Sequence, residues 1–211
     1  MKKTALLGVM LFVLLFITGC ANTPTTSASS SSYQSSDFNP NKEARIRIFG
    51  QNGKPTIMQS GIDCEKGFHG DEINVGGTLG DAFGSLLALA KNLSLGMPQT
   101  QATLAISEQD GILSKAIYKE FAIPANKPVN IRSAFIGLTT ILETGTYRAT
   151  YYEGDCTSDT ISFIPQAGKD YEVISLYKNR ACKAILVFEV NEINNLVQLT
   201  HIPTSEAVMC K

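Results

Sequence analysis

The chain has 211 residues, of which 44% are hydrophobic and 18% are charged, and its formal net charge at pH 7 is −1. This composition is sufficient for a folded domain of ordinary size with an apolar core. No dense run of lysine and arginine follows Lys3, so the sequence lacks the clustered cations with which proteins bind nucleic acid.

The N-terminus has the pattern of a secretory leader, with two lysines followed by an apolar run over residues 5–17. The run is shorter than the roughly 20 residues that a membrane-spanning helix needs. It ends in Ile17-Thr18-Gly19-Cys20, which resembles the lipobox of bacterial lipoproteins. The resemblance implies that residues 1–19 are a signal peptide and that Cys20 then carries diacylglycerol and an N-acyl chain, such as palmitate. An ordinary cleaved leader is the alternative.

Residues 20–43 are expected to form the lipidated cysteine and a flexible tether. Serine, threonine, proline and asparagine dominate this segment, which cannot bury enough apolar area to fold. A coil of this length spans roughly 25 Å. The residue after Cys20 is Ala21. An aspartate at this position typically retains lipoproteins in the inner membrane. The resemblance therefore favours the outer membrane, and the periplasmic or surface orientation stays open.

The remaining sequence, residues 44–211, is predicted to be one β-domain. Ile46 and Ile48 alternate with Arg45 and Arg47, which predicts a half-buried strand with the arginines on its outer side. An Asn52-Gly53 turn and a return strand over residues 56–60 follow. Further strands are predicted over residues 72–75, 112–123, 128–135, 146–152, 160–164, 171–177, 183–190 and 196–202. Short strands with Gly/Pro turns indicate a mainly β fold, an antiparallel β-sandwich or a partly open barrel.

One helix is predicted to be inserted into this domain near residues 79–93, because apolar residues recur there at three- and four-residue spacing. The surrounding loop holds apolar residues outside any strand pattern, and we expect it either to contact a partner or to cap the sandwich. Its candidate binding residues are Phe68, Leu79, Phe83, Leu86, Leu87 and Leu89.

Four cysteines remain beyond Cys20, and an even number in an exported chain predicts two disulfides. We expect residues 160–190 to form a meander that places Cys156 and Cys182 at the same end. This favours a Cys156–Cys182 bond, worth about 3 kcal/mol from loop closure, and leaves Cys64 to pair with Cys210. No Cys-x-x-Cys pair and only two histidines are present, so no metal site and no cofactor are predicted.

A resemblance to a known group rests mainly on residues 163–173, Phe-Ile-Pro-Gln-Ala-Gly-Lys-Asp-Tyr-Glu-Val. Cys64, Leu95–Pro98, Ile123–Val129, Cys156 and Cys182 add to it. Together they resemble a widespread group of small proteobacterial, Acinetobacter-like lipoproteins of uncharacterised activity. The resemblance covers most of the chain beyond the tether and implies a lipobox followed by a β-sandwich. The motif itself is typical of a turn that leads into a strand.

The sequence contains no Gly-x-Ser-x-Gly elbow, phosphate-binding loop or EF-hand pattern, and no two titratable groups have a spacing that predicts catalytic cooperation. We therefore expect no enzyme, but a membrane-anchored envelope lipoprotein that acts as a binding or structural module for an envelope protein. Two alternatives remain open. The first is an accessory lipoprotein of a secretion or envelope assembly. The second is an inhibitor of an envelope hydrolase such as lysozyme, acting through residues 63–72.

Overall fold

β-Strands make up most of the part of the protein that the computed structural model describes, which comprises residues 38–78, 91–111, 114–179 and 181–211. The strands are β1 Glu43–Gly50, β2 Thr56–Ser60, β3 Asp71–Val75, β4 Ile117–Pro124, β5 Val129–Ile136, β6 Thr139–Thr144, β7 Tyr147–Tyr152, β8 Asp155–Thr157, β9 Ile161–Phe163, β10 Asp170–Lys178, β11 Ala181–Ile193, β12 Leu196–Ile202 and β13 Ser205–Glu206. One short helix, α1, spans Gln101–Leu104, and 3-10 turns lie at Cys64–Lys66 and Ile106–Gln109. The predicted mainly β class is confirmed.

The strands form two larger sheets and one separate hairpin. The first sheet has the order β12-β11-β10-β1-β4, in which only the β1–β10 pair is parallel. The second has the order β13-β9-β5-β2-β3, with β8 also paired to β5, and β6 pairs with β7 alone. Among the described strands no sheet closes into a barrel, which is consistent with the predicted β-sandwich.

The core lies between the two larger sheets, where apolar side chains from alternate positions meet. Ile46 and Ile48 of β1 are completely buried, as the alternation predicts. Burying one such side chain contributes roughly 1.5–3 kcal/mol. The other main contributors are Met58, Val75, Ile123, Val129, Ile131, Phe163, Val173 and Val187.

The chain crosses from one sheet to the other directly after β1. The Asn52-Gly53 turn forms, closed by backbone hydrogen bonds between Gln51 and Lys54. The predicted return strand nevertheless does not pair with β1, because β4 and β10 already occupy both edges of β1. The chain enters the second sheet as β2, which pairs with β3 and β5.

The expected meander is correct only in its second half. β10 and β11 pair antiparallel, but β9 lies in the other sheet, between β5 and β13. Both predicted disulfides are present, Cys156–Cys182 and Cys64–Cys210. Cys156 lies on β8 of the second sheet and Cys182 on β11 of the first, so this bond joins the two sheets.

The predicted helix near residues 79–93 falls mostly outside the described residues, which resume at Lys91. Leu93, at its expected end, instead forms a parallel bridge with Lys119 of β4. The strand predicted over residues 112–123 is regular only from Ile117. Helix α1 was not predicted, and the Thr100 hydroxyl caps it by accepting the backbone N–H of Thr103. Within the described ranges, no helix is both long and apolar enough to cross a bilayer.

Candidate functional site

Ionic pairs line the outer face of the first sheet, where β1 lies between β10 and β4. Arg45 binds Asp170 with two hydrogen bonds, Nε–Oδ1 at 2.7 Å and Nη2–Oδ2 at 2.8 Å. Arg47 contacts Glu120 on one side, Nη2–Oε1 at 2.6 Å, and Glu172 on the other, Nη1–Oε2 at 2.9 Å. These residues are direct register partners across the strands, which places their side chains on one face.

Arg47 lies on the outer face as the alternation predicts, but a half-buried strand would leave it exposed to solvent, and this expectation is wrong. Arg47 is 1% exposed, Glu120 1% and Glu172 0%, so the central ion triad is shielded from water. Burial of charge is costly unless the charges are paired and hydrogen-bonded, and here nearly every polar atom has a partner. The exception is Glu172 Oε1, which is buried and accepts no hydrogen bond from a described residue.

Residues 93–100, here called the strap, lie across this face and bond to Glu120. The Oε2 atom of Glu120 accepts the Ser94 hydroxyl at 2.9 Å and the backbone N–H groups of Leu95 and, at 3.2 Å, Met97. The carboxylate of Glu120 therefore binds the guanidinium through one oxygen and the strap through the other. This arrangement fixes the strap on the sheet, although residues 94–100 form no helix or strand.

The strap also bonds to the other two members of the triad. Arg47 Nη2 donates to the carbonyl oxygens of Met97 at 3.2 Å and Pro98 at 2.9 Å. Thr100 Oγ1 donates to Glu172 Oε2 at 2.7 Å. Because the triad members bond to one another and to the strap, the arrangement supports a structural role for the two glutamates.

A cleft of about 360 Å³ opens at the point where β1 and β10 separate. Their ladder ends at Ile48 opposite Val173, β1 then turns towards the second sheet, and β10 continues to Lys178. The volume lies within the range of about 300–1,000 Å³ that is typical of small-molecule sites. Its lining residues include Phe49, Gln51, Lys54, Thr56, Ala102, Ile174, Ser175, Leu176 and Tyr177.

Polar groups are present on one part of the cleft wall. Lys54 has no ion-pair partner among the described residues, and the hydroxyls of Thr56 and Ser175 are 3.5 Å apart. The Tyr177 hydroxyl donates to the Ala134 carbonyl oxygen at 3.2 Å, which ties β10 to the other sheet. Burial raises the pKa of Tyr177 above its ordinary value, so this phenol is neutral at physiological pH.

The β6–β7 hairpin is a separate exposed element. It pairs with no other described strand, and its large side chains are exposed, among them Leu142 at 60% and Tyr147 at 66%. One face carries Glu143 directly opposite Arg148. The other face is uncharged and consists of Thr140, Leu142, Thr144, Tyr147, Ala149 and Tyr151.

The acidic loop over residues 63–72 is firmly attached at its base. Asp63 accepts a hydrogen bond from Lys127 Nζ at 2.7 Å, and this bond holds the pKa of Asp63 below its usual value. Backbone bonds join Asp63 to Phe68, and the Cys64–Cys210 disulfide ties the loop to the C-terminal segment. Phe68 itself is 44% exposed.

The structure therefore tests only part of the predicted site. Cys20 lies outside the described residues, and so do Leu79, Phe83, Leu86, Leu87 and Leu89 of the candidate partner loop. Phe68 is exposed as that hypothesis requires. In the described ranges no cluster of three or more His, Cys, Asp or Glu side chains is placed to hold a metal ion.

Sequence reasoning missed the ion triad, although the chain contains a signal for it. Arg45 and Arg47 lie two residues apart in one predicted strand, and Asp170 and Glu172 have the same spacing at the start of another, which was predicted from residue 171. Opposite charges at matching two-residue spacing are typical of paired strands that share a face. Of the two strands of the β6–β7 hairpin, the sequence predicted β7 but not β6.

Comparison with known proteins gives no match to any family model, curated protein or solved structure.

Proposed function

We propose that this chain is a lipoprotein of the bacterial cell envelope, anchored to the outer membrane by acyl chains on Cys20, and that it acts as a non-enzymatic binding module. The leader and lipobox resemblance support the anchor. The two disulfides support an oxidising compartment, because such bonds are rare in the cytosol. Two acyl signals are enough for stable membrane attachment.

The exposed β6–β7 hairpin is the observation that carries the binding role. An isolated two-stranded hairpin is only marginally stable in water and gains stability from a third strand or a packed face. The hairpin nevertheless exposes an uncharged face with Leu142, Tyr147 and Tyr151. Apolar surface of this kind marks interaction sites in soluble domains.

The partner we propose is an extended, largely uncharged segment of an envelope protein that adds as a strand to the hairpin. Natural edge strands are usually protected against such pairing by lysine, proline or a bulge. The β6 and β7 strands contain no lysine and no proline, and their register is continuous. Glu143 and Arg148 compensate each other in charge, so no net charge on the hairpin repels an uncharged strand.

The anchor is tested by metabolic labelling with palmitate, followed by membrane fractionation. We expect label on the wild-type chain in the outer-membrane fraction. The Cys20→Ser variant is expected to carry no label and to remain unprocessed. Label that survives in Cys20→Ser, or an unmodified mature protein in the soluble fraction, would disprove the anchor.

The hairpin is tested by crosslinking in intact cells with a photoreactive residue placed at position 140, on the uncharged face. We expect the Leu142→Asp change to remove the crosslinked species, because it places a charge on the uncharged face. Thr150→Asp is the matched control, since it adds the same charge to the opposite, already charged face. Equal crosslinking by both variants would contradict a partner on this face.

The same hairpin surface suits an accessory lipoprotein of a larger envelope assembly. In that case the crosslinked species would be a subunit of the assembly.

A hydrolase inhibitor is a second candidate, favoured by the loop over residues 63–72. The disulfide and the Asp63–Lys127 pair hold Phe68 in a fixed exposed position, and a preordered loop loses little entropy on binding. Inhibition of lysozyme that a Phe68→Ala change abolishes would support this candidate, and no inhibition at micromolar protein would remove it.

A further inference from the structure

We infer that the cleft where β1 and β10 separate binds a carboxylate group attached to an apolar group. The ligand is either the C-terminal residue of a peptide or a short aliphatic acid, which share this chemistry. This site is separate from the hairpin to which the proposed function assigns the protein partner. It therefore adds a ligand-binding activity to that function.

The strand arrangement creates the space. β1 and β10 pair only as far as Ile48 and Val173, and Gly50 then packs against the backbone of Val75 in the other sheet. The side of β10 beyond Val173 consequently faces the cleft instead of a described strand. An extended ligand fits along such a strand edge, where backbone groups offer hydrogen bonds in a regular row.

The lining of the cleft suits an apolar group. Phe49, Ile174 and Leu176 contribute large apolar side chains, and Ala102 of α1 leaves room beside them. Transfer of an apolar ligand group from water to this surface is favourable. The hydroxyls of Thr56 and Ser175 lie at the same cleft and provide polar groups that orient a ligand.

The charge of the cleft suits an anion. Lys54 is its charged residue, and none of the described lining residues is an aspartate or glutamate. Lysine offers three donors and no acceptor, and among the described residues Lys54 has no ion-pair partner that a ligand carboxylate must displace. Bonds between an ammonium group and a carboxylate are charge-assisted and stronger than neutral ones.

The test compares acids with their amides on the mature protein as the cell processes it, by calorimetric titration. The probes are N-acetyl-Ala-Val-Leu with a free carboxylate, the same peptide as its C-terminal amide, hexanoate and hexanamide. We expect an acid to bind at least about tenfold more tightly than its amide, because the amide loses the charge-assisted bond to Lys54.

Three variants locate the effect. Lys54→Met keeps most of the side-chain length and removes the charge, so it should abolish the difference between acid and amide. Lys54→Arg should retain the difference. Lys42→Met is the matched control at an exposed lysine outside the cleft and should leave binding unchanged.

Each outcome decides the proposal. If only the peptide acid binds, and its binding depends on Lys54, the ligand is the C-terminal residue of a peptide. If only hexanoate binds in this way, the ligand is a short aliphatic acid. Binding of both shows that the shared carboxylate and apolar chemistry is sufficient. The proposal is overturned if neither acid binds at about 1 mM, if acid and amide bind equally, or if Lys54→Met behaves as Lys42→Met does. The acid–amide comparison on the unaltered protein stands even if a variant misfolds, and none of these readouts depends on the anchor or the hairpin.

Discussion

Arg47 and Glu120 lie directly opposite each other in the β1–β4 register, and the Nη2 atom of Arg47 is 2.6 Å from Oε1 of Glu120 in a site that excludes water. Glu172, opposite Arg47 on the other side, shares the same guanidinium. One arginine thus pairs with two buried carboxylates, and the strap bonds to all three. The stability of this face depends on the complete set of charges.

Replacement of Arg47 by methionine is expected to destabilise the fold by about 3–5 kcal/mol, because Glu120 and Glu172 are left buried without a counter-charge. Urea unfolding followed by circular dichroism measures the change. Arg132→Met is the matched control, since Arg132 is exposed on β5 and its loss should change stability by less than about 0.5 kcal/mol. Equal unfolding midpoints for the two variants would show that the triad does not contribute.

Removal of the two disulfides is expected to have unequal effects. The Cys64–Cys210 bond closes a loop with a sequence separation of 146, and the Cys156–Cys182 bond closes one of 26. Loop-closure entropy predicts losses of about 5 and about 3.5 kcal/mol for the two double alanine variants. Denaturant midpoints of the two variants give the order directly. A larger loss for Cys156→Ala/Cys182→Ala would mean that joining the sheets matters more than loop length.

A methyl group at position 50 is expected to destabilise the crossing between the sheets. A Cβ atom added to Gly50 would overlap the carbonyl oxygen of Val75, which cannot move away cheaply because it belongs to the β3 backbone. Gly50→Ala should therefore cost roughly 1–3 kcal/mol in thermal or urea unfolding. Gly111→Ala is the control, since its nearest neighbour would be 3.5 Å away. A neutral Gly50→Ala variant would contradict the close approach.

Stability should fall at alkaline pH, partly through Tyr177. Its pKa is raised in the folded state by burial, so the unfolded chain releases this proton first, near pH 10. The contribution of the neutral phenol is present below pH 10 and is lost as the pH rises through the folded-state pKa. Burial also raises the pKa of Tyr171, which should add to the decline.

Tyr177→Phe separates this effect from the hydrogen bond to Ala134. At pH 7 the variant should lose about 1 kcal/mol, because that bond is removed. Between pH 10 and higher pH it should lose less stability than the wild-type chain does. Parallel pH profiles for the two proteins would show that Tyr177 does not carry the alkaline transition.

The strands were predictable because their signals are local. Alternating residues at Ile46 and Ile48 identify β1, and Pro203 ends β12 directly after Ile202, as the sequence indicates. The cysteine pairing was also predicted, from an expected meander in which β9 lies beside β10. The bond forms instead because β8 pairs with β5 and brings Cys156 to β11 from the other sheet.

The sequence by itself determined the period-two strands, the Asn52-Gly53 turn and the even set of paired cysteines, since each depends on neighbouring residues or on composition. Tertiary structure alone decided which strands are partners and that Arg47 is buried. Alternation states which side chains share a face, but it does not state whether that face is later covered. Here a strap about 50 residues away along the chain covers it, and only the folded chain brings the strap and the triad together.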